Sequence, residues 1–424
     1  MATSGSKPTR RKPSPAARAS SPRPRAQAAQ RALPVRGLVI LVALIAAAAL
    51  LFSVGSCAAN ALLGPAPATT PEAAADEQRV SFAAVGDNLP DAGIAAYADA
   101  LAGEAGDGLY DFAPIYANVK PLVEAADLAY MSQETHLGGD EIGPRGWPSF
   151  NTPDAMADAV VATGFDLVAS ASNHAYDWGT YGALEHALDV WRAQPVVYTG
   201  TAASAEEAAQ LATVEREGIT FALLDYTYGV NGYEPSDLPA YAVNFIDEER
   251  IRADVAAAHE AADVVLVAMH WGTENVLEAD AEQQRLAKLL ADLEVDVVLG
   301  SHPHVIGPLE WVEGETGHQA LVAYSLGNFL SNHSTPRVKN ELEGMLTCDF
   351  VKDKESGDVY VENAAWTPLV NHTDEDGSFS IYPLGSYTPE LAARHTLLSQ
   401  EEDPLGQLNA LTDQTIGDEF PINR

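Results

Sequence analysis

The chain has 424 residues, 60 acidic against 24 basic, and 47% of them are hydrophobic. A surface this acidic repels polyanions, which excludes a nonspecific nucleic-acid binder, and this much apolar material excludes wholesale disorder. The two cysteines, Cys57 and Cys348, build no disulfide framework, so stability has to come from a packed core.

Residues 1–36 carry nine Lys or Arg and no acid among Pro, Ser and Ala. Such a stretch buries no core and reads as a disordered cytoplasmic tail. Residues 37–57 follow as a membrane segment. Every residue from Leu38 to Phe52 is apolar and no charge lies between Gly37 and Pro71, enough for a helix of about 20 residues across a hydrocarbon core of roughly 30 Å. A basic flank before it and an acidic chain after it place the remainder outside the cell by the positive-inside rule. Two anchors are open: an uncleaved signal anchor, or a lipoprotein, because Val54-Gly55-Ser56-Cys57 resembles a lipobox whose cysteine is acylated. Residues 58–78, rich in Ala, Pro and Thr, read as a linker, and one folded domain is expected over 79–424.

Up to about residue 330, short apolar runs alternate with stretches of helical period, an α/β layout. Strands are expected at 80–86, 127–132, 165–170, 220–225, 263–269, 295–300 and 319–325. Helices are expected at 114–126, 153–163, 181–191, 247–262 and 279–293. Beyond residue 340 the alternation in 345–351 and 359–366 predicts antiparallel strands, followed by a helical tail from Pro389. Cys348, on an apolar strand, reads as a small buried hydrophobe.

Five strands end in residues that bind metals: Asp87, Glu134, Asn173 with His174, His270, and His302-Pro303-His304. Ligands of open α/β sheets bind outside the carboxyl ends of the strands, so these side chains can converge. Oxygen and nitrogen donors without a thiolate suit Mn, Fe, Zn or Co better than Ca or Mg. Each residue alone has a plainer reading, His270 as a hydrogen-bonded core histidine and Asp87 as a turn cap. In the triplet, Pro303 is expected to hold the backbone extended between two imidazoles. It is the coincidence of five strand ends that points to a site.

The motifs Val85-Gly86-Asp87, Ser132-Gln133-Glu134-Thr135, Asn151-Thr152-Pro153, Ala171 through Gly179, His270-Trp271-Gly272-Thr273-Glu274, Gly300 through Val305 and Tyr324 through Phe329 occur in this order. In that combination, over most of residues 80–335, the sequence resembles the poly-gamma-glutamate capsule biosynthesis (CapA) proteins, a branch of the calcineurin-like metallophosphatase superfamily. The resemblance implies a four-layered α/β/β/α sandwich with one or two divalent ions, Mn, Fe or Zn, at the sheet edge. It assigns Asp87 and His304 to a first metal, Glu134 to a bridging place, and Asn173, His270 and His302 to a second. His174 is then a proton donor to a leaving group, oriented by Asp177, and metal-assisted hydrolysis is the implied reaction.

One departure stands out: the wider superfamily has Asp-x-His in its first motif, and here the third place is Leu89, with Asn88 or Asp91 as candidates to fill the gap. Ser132-Gln133-Glu134 replaces the common Asn-Leu-Glu, leaving the carboxylate in place. Trp271, Trp178 and Phe329 read as substrate platforms or as packing around a site. Glu274 reads as steering His270 or as a solvated loop carboxylate. His136, His333 and His372 have no ligand-like spacing. The functional expectation is a membrane-anchored extracytoplasmic protein of capsular polyglutamate synthesis or export with a phosphoesterase-type centre. Its expected partners are the membrane and a polyglutamate chain or capsule synthesis complex, with no nucleic acid. The alternatives are a noncatalytic module that binds polymer or the synthesis complex, and a general cell-surface phosphoesterase.

Overall fold

In the computed structural model, which describes residues 77–332 and 337–424, every apolar run expected to be a strand is one. The expectations for residues 1–76, membrane segment, lipobox and most of the linker included, lie outside the described residues, as does His333. Among the described residues no helix is long and apolar enough to cross a membrane. The first strands are β1 (Glu77–Leu89), β2 (Leu128–Gln133), β3 (Leu167–Ala169), β4 (Val197–Thr199), β5 (Ala212–Arg216), β6 (Ile219–Thr227) and β7 (Val264–His270). They are followed by β8 (Val297–Ser301), β9 (Leu309–Glu313), β10 (Gln319–Ala323), β11 (Asn328–Ser331), β12 (Leu342–Asp353), β13 (Val359–Thr373) and β14 (Phe379–Pro383).

Two mixed sheets result. One has the order β14-β13-β12-β1-β2-β3-β4 with β11 against the end of β1, and the other β5-β6-β7-β8-β10-β9. The strands β1 to β4 run parallel, as do β6, β7, β8 and β10, while β12 pairs with β1, β13 with β12 and β14 with β13, each antiparallel to its neighbour. Side chains alternate across each strand, and that alternation makes the layers. Val80, Phe82 and Ala84 of β1 meet Ile219, Phe221 and Leu223 of β6 between the sheets. Ala83 and Val85 face Ile94, Met156 and Val160 on the helices Ala92–Ala102 and Ala155–Thr163. Ala222 and Val265 face the helices Glu248–Ala261 and Ala281–Asp292 on the opposite outside. Helices therefore cover both outer faces of two stacked sheets, as expected for the mixed α/β class. Cys348 is buried between the sheets and free.

The expected helix over 114–126 is not formed. A 3-10 turn, Ala113–Tyr116, and a single turn, Lys120–Val123, stand there instead. Pro121 has no N–H to give, and its ring collides with a helical carbonyl four residues earlier. The helix Ala92–Ala102 was not anticipated, although Asp91 caps it by accepting from Gly93 N and Ile94 N. The tail is helical in two pieces, Pro389–Ala392 and Pro404–Ile416.

At the amino ends of the strands one device recurs. Asp127, Asp166, Asp263 and Asp296 each stand just ahead of a strand and accept the backbone N–H of its neighbour, at Ser81, Ala129, Thr220 and Val265, over 2.8 to 3.0 Å. These carboxylates fix register at the edge opposite the strand ends that carry the metal-binding residue types.

Phe350, fully buried, packs edge-on against Phe82 and Phe221 with ring centroids 5.7 and 5.0 Å away. Truncating it empties the contact between the sheets. Phe350→Ala should cost about 3–5 kcal/mol in urea unfolding followed by circular dichroism.

Candidate metal centre

Parallel strands put their carboxyl ends on one edge, and both sheets present that edge to the same place. Asp87 leaves β1 at a register break, where its N–H turns to Gly327 O at 2.9 Å. The turn approaches so closely that a Cβ on Gly86 would stand 1.9 Å from the Gly327 carbonyl oxygen, so only glycine fits. The Asp87 carboxylate accepts from Ser132 Oγ at 3.0 Å and, across the sheets, from His302 N at 2.9 Å. Ser132, one of the two departures in its motif, thus supports Asp87.

The structure brings together all six residues expected to bind metal. His304 Nδ1 lies 3.9 Å from Asp87 and 3.8 Å from Glu134, and His270 lies 4.0 Å from each of the same carboxylates. Asn173 Oδ1 is 3.0 Å from His270 Nε2, and the His270 and His302 rings are 4.8 Å apart. Ligand atoms of Asp87, Glu134 and His304 all fall within 4.8 Å of one another. His270 Nδ1 and His304 Nδ1 are oriented by Ser301 Oγ and Asn328 Oδ1, each at 2.9 Å.

The backbone of the triplet differs from expectation. It is not extended at either histidine: φ is 93° at His302 and 56° at His304, a region that residues other than glycine rarely enter. The strained turn is held by the Asp87 contact, by Asn275 N to Pro303 O at 2.7 Å and by Asn340 Nδ2 to His304 O at 3.1 Å. Nor do Asn88 and Asp91 make good the missing histidine. Asn88 bonds Gln133, Tyr116 and Met156 toward the helix layer, and Asp91 is committed to its cap and to Asn332.

His174 Nδ1 is 2.7 Å from Asp177 Oδ2, which also accepts Phe150 N at 2.7 Å, and the Phe150 ring meets the imidazole edge-on. Asn231 Nδ2 stands 3.4 Å from His174 Nε2. Asn231 and Tyr228 were missed by sequence reasoning. Tyr228, half exposed, lies over His302 with ring centroids 4.7 Å apart. The only signal was that their loop follows β6, a parallel strand of the same edge. Trp271 and Phe329 are packing, bonded to Tyr324 O and stacked on Tyr116 respectively. Trp178 donates to Ser149 O. His136 is buried, and His372 is engaged by Tyr387 and Asp374.

Both oxygens of Glu134 and Nδ1 of His302 are buried without a hydrogen-bond partner. Carboxylates buried like this are normally paired or bound to metal. Burial pushes Asp87 up to about 7 and Glu134 well above the carboxylate range, the latter also repelled by Asp87, Glu274 and Asp177. Burial lowers His302 to about 4 and His270 well below its ordinary value. Neutral imidazoles and two carboxyls able to give up protons form a donor set that fits one or two divalent ions.

A family model described as bacterial capsule synthesis protein PGA_cap matches residues 81–333. The chain belongs to this family. PGA_cap relatives include the PGA biosynthesis protein CapA of Bacillus subtilis (strain 168), 30% identical over 183 residues, 42% of this chain and 45% of that one. The capsule biosynthesis protein CapA of Bacillus anthracis is 24% identical over 188 residues, 43% and 44% of the two chains. The matches thus span less than half the length of these curated relatives. Among solved structures, a novel phosphatase from Mycoplasma pneumoniae aligns at TM-score 0.41 and 13% identity, over 68% of this chain and 94% of that one. A putative 5'-nucleotidase from Staphylococcus aureus aligns at TM-score 0.42 and 13% identity, over 79% and 58%. Likenesses this loose assign no activity.

With Asp87 raised to about 7 and Glu134 raised further, and with His302 and His270 lowered, an ion entering the cluster at pH 6 must displace carboxyl protons. Apparent affinity for Mn should therefore climb as pH rises through about 7, where Asp87 ionises. Calorimetric titrations in buffers of different ionisation enthalpy should register more protons released at pH 6 than at about pH 8.

Proposed function

We propose that this PGA_cap protein serves poly-gamma-glutamate capsule synthesis or export from outside the cell, anchored by residues 37–57, and that its centre performs metal-assisted hydrolysis of a phosphoester. The observation that carries the hydrolytic reading is the pairing of two elements: a buried donor cluster with unpartnered Glu134 oxygens, and a histidine-carboxylate couple next to it.

Divalent ions held by Asp87, Glu134, Asn173, His270, His302 and His304 would polarise a phosphoryl oxygen and lower the pKa of a water. The chain's own residues do the rest. Asp177, fixed by the Phe150 N–H, holds His174 through Nδ1 and so directs Nε2 outward from the couple. A proton on Nε2 can then pass to the leaving oxygen. Asn231 Nδ2 lies 3.4 Å from that nitrogen. Tyr228, Phe150 and the buried strand ends keep bulk water from most of the cluster. Capsule biosynthesis as the setting is supported by the family and by the two CapA relatives.

His270→Ala and His302→Ala should lose metal and activity together, whereas His174→Ala should keep most metal and lose about 10² to 10⁴ in rate. That loss should shrink for a nitrophenyl ester, whose leaving group needs no proton. Elemental analysis and hydrolysis of monoester and diester substrates, with circular dichroism as the folding control, separate the roles. Metal-loaded protein inert toward every ester would favour the noncatalytic polymer-binding module. For the anchor, a tag at residue 424 should be reached by protease in intact cells only from outside.

A further inference from the structure

The loop after β7 brings a third carboxylate to the centre. A Glu274 oxygen lies within 4.8 Å of ring nitrogens of both His302 and His304, on a side chain open to solvent. The loop is not free to drift. Its backbone turns through positive φ at Gly272 and Asn275, and Asn275 N donates to Pro303 O at 2.7 Å. Asn340 then bonds Asn275 Oδ1 at 2.8 Å and His304 O at 3.1 Å, while Lys339 bonds Asn275 O. The Glu274 loop and the histidine turn are thus tied into one unit.

Two independent features at the same place call for a cation. His302 Nδ1 has no partner in a residue 4% exposed, and the Glu134 oxygens have none in a residue 1% exposed.

We propose that Glu274 is itself a metal ligand, acting with His302 and His304. This rests on the metal-centre reading above. An anionic oxygen from Glu274 adds negative charge to a set that already holds Asp87 and Glu134. It shifts the donor balance toward the harder, oxygen-preferring end, so Mn or Fe rather than Zn is the favoured ion.

The test uses the full chain, stripped of metal and titrated with Mn in competition with a chelator, with bound ions counted by elemental analysis. Even residues outside the ligand sphere typically change metal affinity by about 10- to 100-fold when replaced. Glu274→Gln should therefore weaken Mn binding at least about tenfold or lose one ion per chain. Glu278→Gln, an exposed neighbour on the same segment, should bind like wild type. The two thermal melts without metal should coincide with that of wild type, Glu274 being at the surface. Unchanged Mn affinity and count in Glu274→Gln overturn the proposal alone, as does an equal loss in Glu278→Gln, which would reduce the effect to general charge. A wild-type chain that takes up no Mn, Fe or Zn overturns the centre and this ligand with it.

Discussion

Asp87 is wholly buried where the two sheets meet, and its carboxylate ties one to the other. One oxygen accepts from Ser132 on the neighbouring strand of its own sheet; the other accepts from the backbone of His302, at the end of a strand in the second sheet. A buried carboxylate is costly unless its lone pairs are used. Here that cost is offset by the same contact that fixes where His302 and His304 stand. The placement of the imidazoles and the positive φ of their turn accompany this carboxylate contact, while the residue's own N–H is taken by Gly327 O.

The sequence made the strands legible because their apolar runs are long and Val-rich, and because each of five ends on a polar residue type foreign to a core. Parallel order then required Asp87, Glu134, Asn173, His270 and His302 to share an edge, so the convergence of these donors was foreseeable without coordinates. The details set by long-range contacts were not. The turn at Pro303 looked extended by local rules, and only the pull of Asp87, Asn275 and Asn340 from remote segments accounts for its left-handed histidines. Glu274 and Tyr228 sit in loops, where no periodicity marks which way a side chain faces. The failed helix over 114–126 was a local error of another kind, since Pro121 was in view and its missing N–H was given too little weight.

Residues beyond the matched family stretch also bear on the site. β12 lies along β1, and just ahead of it Asn340 holds the His304 carbonyl. That segment is held in turn. Asn371 N bonds Glu341 O at 3.1 Å, and His395 Nε2 reaches Asn371 O at 3.1 Å while its Nδ1 accepts from Leu397 and Leu398. The donor cluster therefore depends on the fold as far as the turn around His395, and a fragment ending at the family boundary would lack this support.

The four aspartates at the amino ends of the strands have a different consequence. Each fastens a strand to its neighbour through a backbone N–H, so register is set without help from the loops at the opposite edge. Loop length and loop sequence there are released from most of the duty of aligning neighbouring strands within a sheet. A fold arranged this way separates what keeps neighbouring strands in register from what carries the donor cluster: the loops of that edge can be rewritten by loop exchange, in the laboratory or over descent, while the strands beneath keep their alignment.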